Sequence, residues 1–216
     1  MKIAAIIAEY NPFHSGHKFH IEETKKFSDA VVVIMSGSFV QRGEVAIFDK
    51  WTRTKAALSS GVDLVIELPI KNVLSSAEGF ATGGVEILES LGIIDAISFG
   101  SECGNIDILE KFAKALLFET PEISAKIKDY MELGMSYAKS LSCAYNGVLD
   151  EEILSSPNNI LAIEYIKALQ RINSKIKPVT IMRKGAGYHD TNTVGCFASA
   201  TGLREKINTG EEISSF

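Results

Sequence analysis

No apolar run in this 216-residue sequence approaches the ~18 residues that a membrane-spanning helix requires, so no membrane span is expected. Cysteine is scarce: Cys103, Cys143 and Cys196 are scattered with no CxxC pair, which argues against a zinc site and a disulfide framework. Reduced thiols and a cytoplasmic location follow as the default expectation. Met1-Lys2-Ile3 leads straight into an apolar stretch that a fold would use, which argues against a cleaved signal peptide. There is no internal repeat, low-complexity tract or Pro/Gly linker to mark a domain boundary, and the length suits one domain spanning 1–216. Histidine is also scarce. Of four in the chain, three (His14, His17, His20) fall within seven residues.

What is present is ordinary for a soluble globular chain, with 46% hydrophobic and 23% charged residues. The net charge of −5 hides an asymmetry. Residues 171–206 hold seven Lys/Arg against two acids, while the whole chain has 22 against 27. The C-terminal part is therefore a candidate positive surface for a nucleotide or RNA, with a solvated mixed-charge face as the plainer reading.

Apolar, β-branched runs recur at Ile3–Ile7, Ala30–Met35, Val62–Leu68, Ala96–Phe99 and Pro178–Met182. Their near-continuous hydrophobicity predicts strands buried on both faces of a parallel sheet. Helical stretches are expected at 17–27, 50–60, 77–91, 105–118, 121–139 and 157–173, with a long helical insert (about 104–174) before the last strand. Strand–helix alternation predicts right-handed βαβ units in an α/β sandwich, helices on both faces. Functional residues should then gather at the carboxyl ends of the strands.

Polar clusters do stand at those ends. After the first run come His14 and His17, three residues apart around Ser15-Gly16, at the start of a helix expected from His17. A helix N-terminus attracts phosphate, and two imidazoles one turn apart could polarise it. The plainer reading is a helix entry with incidental histidines. His17 is expected to be an exposed loop residue that contributes little packing. Ser36-Gly37 to Glu44, with Arg42, follows the second run. Gly100 in Phe99-Gly100-Ser101-Glu102 would permit close approach of a base or ribose. In Pro157-Asn158-Asn159, Asn158 reads as the helix cap and Asn159 as an amide available to a ligand. Arg183 and Lys184 precede Gly185-Ala186-Gly187-Tyr188-His189-Asp190, a candidate phosphate-contacting loop. Ser199-Ala200-Thr201-Gly202-Leu203-Arg204 reads alone as a helix cap, and beside the histidine pair as a second phosphate-holding helix start.

The pairing of His14-Ser15-Gly16-His17 with Ser199–Arg204 resembles the HxGH and (S/T)-x-x-x-R elements of the nucleotidyltransferase superfamily. Longer strings narrow the likeness. Glu9-Tyr10-Asn11-Pro12-Phe13-His14, Gln41-Arg42-Gly43-Glu44, Lys50-Trp51, Val62 to Pro69, Phe99 to Glu102 and Gly185 to Asp190 resemble the bacterial tRNA(Met) cytidine acetate ligase family across essentially the whole chain. The resemblance implies a Rossmann-like nucleotidyltransferase fold. It implies activation of acetate with ATP, commonly with Mg²⁺, to an acetyl-adenylate, then transfer to N4 of the wobble cytidine of elongator tRNA(Met).

Carried over, the ATP loop is Ile7-Ala8-Glu9-Tyr10-Asn11-Pro12-Phe13-His14-Ser15-Gly16-His17-Lys18-Phe19-His20. Further nucleotide contacts fall to Gly100, Asn159 and Arg183, and the catalytic roles to His14, His17, Thr201 and Arg204, with no protein metal ligand. Family members continue past this last element into a C-terminal helical region that holds tRNA; the sequence here ends at Phe216, so a catalytic domain without that region is expected. The alternatives are an adenylyltransferase acting on a small phosphorylated substrate and a non-catalytic nucleotide- or RNA-binding module.

Overall fold

The computed structural model describes residues 1–41, 43–145, 151–183 and 200–209. Five parallel strands form one sheet in the order β3-β2-β1-β4-β5: β1 (Ile3–Ala8), β2 (Ala30–Ser36), β3 (Leu64–Leu68), β4 (Ala96–Ser101) and β5 (Lys177–Met182). Strand β1, written IAAIIA, lies at the centre, and its alternation divides the core. Ile3, Ala5 and Ile7 join Val32 and Ile34 in one buried cluster; Ile6 joins Val31, Val33 and Met35 in another. Side chains alternate between faces along a strand, so an unbroken apolar run feeds both layers at once.

Helices cover both faces, as expected. On one side lie α1 (Ser15–Lys25) and α2 (Lys50–Ser59), packed on the smaller cluster through Ile21 and Ala57. The short α3 (Ile70–Val73) precedes α4 (Ala77–Leu91). On the other side α4, α5 (Ile106–Leu117) and α9 (Pro157–Arg171) build the larger core. The insert between β4 and β5 also holds α6 (Pro121–Glu132), α7 (Tyr137–Ala144) and α8 (Glu151–Ser155), and α10 (Ala200–Thr209) follows β5.

At the amino ends of the strands three aspartates tie the sheet together. Asp29, Asp95 and Asp63, each one residue before a strand, accept the N–H groups of Lys2, Ile3 and Val31 at 2.6, 2.7 and 2.8 Å. The carboxyl ends are left for other chemistry.

Three expectations need correction. Strands β3 and β5 are edges of the sheet, and their residues are mostly half-exposed rather than buried on both faces. The stretch 121–139 is two helices, because the chain turns through Gly134 at φ +87°. Helix α1 begins at Ser15, two residues before His17, with His14 as its N-cap. The imidazoles themselves form that cap, which no residue preference for Ser, Thr, Asp or Asn anticipates.

Candidate functional site

Where β1 ends, the chain turns through Tyr10 at φ +51° into the loop that starts α1. The Gly16 N–H donates to His14 Nδ1 at 3.0 Å, and the His14 N–H donates to His17 Nδ1 at 3.3 Å. Each Nδ1 is therefore an acceptor, which assigns the proton of a neutral ring to Nε2. The two rings stack with centroids 3.8 Å apart, and Tyr10 and Phe13 pack on His17 at 4.8 and 5.7 Å. His17 is thus a packed, half-buried residue and not the exposed loop histidine expected from sequence.

Burial, with the Arg183 charge adding to it, lowers the pKa of His14 to about 4. His20 is lowered to about 4 for the same two reasons. His17 falls well below the ordinary range through burial, then His14, Arg183 and His20. All three imidazoles are neutral at pH 7 in this arrangement, and they offer N–H groups rather than charge. His20 is anchored further in: its Nε2 lies 2.9 Å from Ser98 Oγ, which in turn lies 2.8 Å from Thr24 Oγ1.

His17 and His20 border a cavity of about 290 Å³ at the carboxyl edge of the sheet. Of the predicted segment Ile7–His20, Ile7 to Asn11, His17 and His20 line it. Pro12 to Gly16, Lys18 and Phe19 stand behind and around that lining. Gly100 and Arg183 line it together. A Cβ at Gly100 would lie 3.2 Å from Arg183 Cγ, so the missing side chain there lets the arginine stem lie against β4.

Arg204 reaches the same cavity from α10, and its Nη1 donates to the Asn11 carbonyl at 2.9 Å. This one contact joins two elements 193 residues apart. Thr201 lies in α10, but its side chain is outside the described residues, as are Arg42, Ser199 and the loop from Lys184 to Asp190.

Asn158 and Asn159 take roles that differ from their sequence reading. The N-cap of α9 is Ser156, not Asn158. The Glu102 carboxylate accepts from Asn158 Nδ2 at 2.6 Å and from the Asn159 N–H at 2.8 Å. Asn159 Oδ1 accepts from the N–H groups of Glu102 and Cys103 at 3.0 and 3.2 Å. Asn159 is buried and braces the turn after β4, while Asn158 lines the cavity.

Sequence reasoning missed Arg53. On α2 it looks like a solvated helix residue, yet only 1% of it is exposed. Its guanidinium donates to the carbonyls of Glu9 (2.6 Å), Ser36 (3.1 Å), Phe48 (3.0 Å) and Gly37. The fork thereby holds the ends of β1 and β2 and the loop after them in one arrangement. Glu9 and Asn11 complete the tie by accepting from the Gln41 and Ile47 N–H groups at 2.7 and 2.8 Å. Also unforeseen is an apolar wall of the cavity made by Ala77 and Phe80 of α4, Phe99 of β4, and Leu161 and Tyr165 of α9.

Such a site offers neutral N–H donors, two arginines and a helix start on one side, and an apolar surface on the other. The first set suits a polyanion.

The chain is 49% identical to the tRNA(Met) cytidine acetate ligase of Clostridium botulinum strain Okra, over 99% of this chain and 55% of that protein. It is 50% identical to the ligase of the same name from Caldicellulosiruptor saccharolyticus, over 99% of this chain and 54% of that protein. The chain thus spans about half the length of the curated relatives it matches.

The crystal structure of Thermotoga maritima TmcAL without ligand superposes with TM-score 0.90 at 35% identity, covering 98% of this chain and 52% of that one. A second crystal structure of that protein, bound with alpha-thio ATP, gives 0.87 at 33% identity, covering 97% and 51%. The family model for HIGH Nucleotidyl Transferase matches residues 1–216. The chain belongs to the HIGH nucleotidyltransferase family.

Proposed function

We propose that this chain binds ATP in the cavity at the carboxyl edge of the sheet and uses it to activate acetate as acetyl-adenylate, the acetyl group then passing to N4 of the wobble cytidine of elongator tRNA(Met). The observation that carries the reading is the Arg204–Asn11 contact, which sets the start of α10 against the histidine loop so that Arg204 and His17 border one cavity. The names of the half-identical relatives and the ATP analogue in a structure 33% identical support the substrate assignments.

In the first step a carboxylate oxygen of acetate bonds to the α-phosphorus of ATP. The bond from that phosphorus to the bridging oxygen breaks, and pyrophosphate leaves with the electron pair. Charge grows on the α-phosphate oxygens and on the leaving group. The Nε2–H of His17, with His14 stacked behind it, meets the former, with Thr201 and Arg204 on the outgoing phosphates. Such catalysis is positioning plus charge stabilisation and needs no protein nucleophile. In the second step the N4 amine attacks the acetyl carbon, loses a proton, and AMP departs.

Among the described residues no group of three or more His, Cys, Asp or Glu is placed to hold a metal ion. No step is routed through Mg²⁺. Among them, too, no helix is long and apolar enough to cross a membrane.

The test is to incubate the chain with ATP, Mg²⁺, acetate and tRNA(Met), and to measure acetyl-adenylate and acetylated cytidine separately. Acetate-dependent exchange of pyrophosphate into ATP is the expected result for the first step. Exchange without acetate but with a phosphorylated small molecule would point to an adenylyltransferase. ATP binding with neither product would leave a nucleotide-binding module.

A further inference from the structure

The cavity has two unlike walls. His17, Arg183 and Arg204 suit the triphosphate, but nothing in a triphosphate needs the opposite wall, formed by Ile7, Ala77, Phe80, Phe99, Leu161 and Tyr165. Ile7, Phe80, Phe99 and Tyr165 belong to the main buried cluster, so this wall is an edge of the core turned toward the cavity. Its one polar side-chain atom, the Tyr165 hydroxyl, is buried and has no hydrogen-bond partner among the described residues. A nucleobase edge would bring several hydrogen-bonding nitrogens against a surface with almost nothing to answer them. An alkyl group needs no answer.

Two glycines let helix α4 pack closely beside this compartment. A Cβ added at Gly84 would fall 2.5 Å from Ile7 Cδ1, and one at Gly83 would fall 2.0 Å from Asn72 Nδ2. Helix α4 therefore touches β1 and the α3 segment with no slack. The first turn of this closely packed helix carries Ala77 and Phe80. We infer that this wall is the acyl subsite: it receives the alkyl end of a short carboxylic acid, and Phe80 and Ala77 set the longest chain admitted. The acid's carboxylate then faces the His17 side of the cavity, where the α-phosphate lies in the mechanism above, away from Arg204 and the leaving group. The assignment rests on the acid-activating reading above and deepens it.

The experiment compares formate, acetate, propionate and butyrate as co-substrates for pyrophosphate exchange into ATP. It uses the full chain and its Phe80→Ala, Phe80→Leu and Ala77→Val variants. Widening at Phe80 is expected to raise the propionate-to-acetate ratio of kcat/KM by roughly tenfold, the usual worth of one methylene in an apolar pocket. Narrowing by Ala77→Val is expected to lower acetate against formate by a similar factor. Phe80→Leu and Ala77→Val disturb the core least, so the measurement stands even where Phe80→Ala fails to fold. Ratios within about twofold of wild type in the folded variants, or changes confined to the KM for ATP, overturn the acyl subsite alone. Wild-type exchange that responds to no carboxylic acid overturns the activation reading and the subsite with it.

Discussion

Helices α1 and α9 both start at the carboxyl edge of the sheet, and both first turns touch the same cavity. They differ in what sits on their exposed N–H groups. At α9 the chain supplies its own anion, the Glu102 carboxylate, which accepts from both Asn158 and Asn159. At α1 the capping group is a neutral imidazole, backed by a second one. A helix dipole draws negative charge wherever it is exposed. An anion arriving at α9 meets a carboxylate already in place; one arriving at α1 meets N–H donors. On the function proposed above, the contrast makes α1 the phosphate end of the cavity and α9 part of its frame.

The sharpest way to break this contrast is to remove a donor at α1. His17→Asn is expected to cut acetate-dependent pyrophosphate exchange by roughly 10²–10³, the usual cost of one transition-state donor. Because His17 stacks on His14 and meets Tyr10 edge-on, a stability loss of about 0.5–1.5 kcal/mol should accompany it. Urea unfolding separates the two effects. A near-normal exchange rate in a folded variant would show that α1 is not where the triphosphate binds.

Glu102→Gln reverses the test at α9. The amide keeps the shape but brings an NH₂ group toward donors that need an acceptor. We expect a loss of about 1.5–3 kcal/mol, read as a lower urea midpoint at unchanged slope. Exchange should fall far less than in the histidine variant. Equal losses in the two variants would mean that the two helix starts do the same job. Gly84→Ala probes the wall between them: its Cβ would lie 2.5 Å from Ile7 Cδ1, and overpacking of this kind costs about 1–3 kcal/mol.

The same two helices mark what could be read in advance. Parallel-sheet topology was legible because β1 to β4 are apolar runs separated by helix-length segments, and because buried strands need apolar residues on both faces. The β1–α1 site was legible because histidine is rare and three of the four sit together at a strand end. The α9 end was not, because Asn158 and Asn159 look the same whether they meet a ligand or a carboxylate 56 or 57 residues away. Arg53 was hidden for a similar reason. Its partners are main-chain carbonyls, which carry no side-chain signature in a sequence. The apolar wall was invisible because Phe80 and Tyr165 are also ordinary core residues.

The smallest expected effect concerns protons at the α1 side. His14 and His20 have pKa values near 4 in the folded chain, against an ordinary value of 6.5, because burial and then Arg183 disfavour their cations. As pH falls through 6.5 the unfolded chain takes up these protons and the native chain does not, so stability declines down to about pH 4. Below that both states are protonated and these groups add no further loss. Urea unfolding from pH 7 to 4 should show this decline, with a shallower slope in His20→Asn. ATP should also flatten it, by a route that tests the comparison. A triphosphate beside α1 offsets the field of Arg183 on both rings and leaves the burial contribution in place, so the slope shrinks without vanishing. A nucleotide seated at α9 instead would leave the slope unchanged.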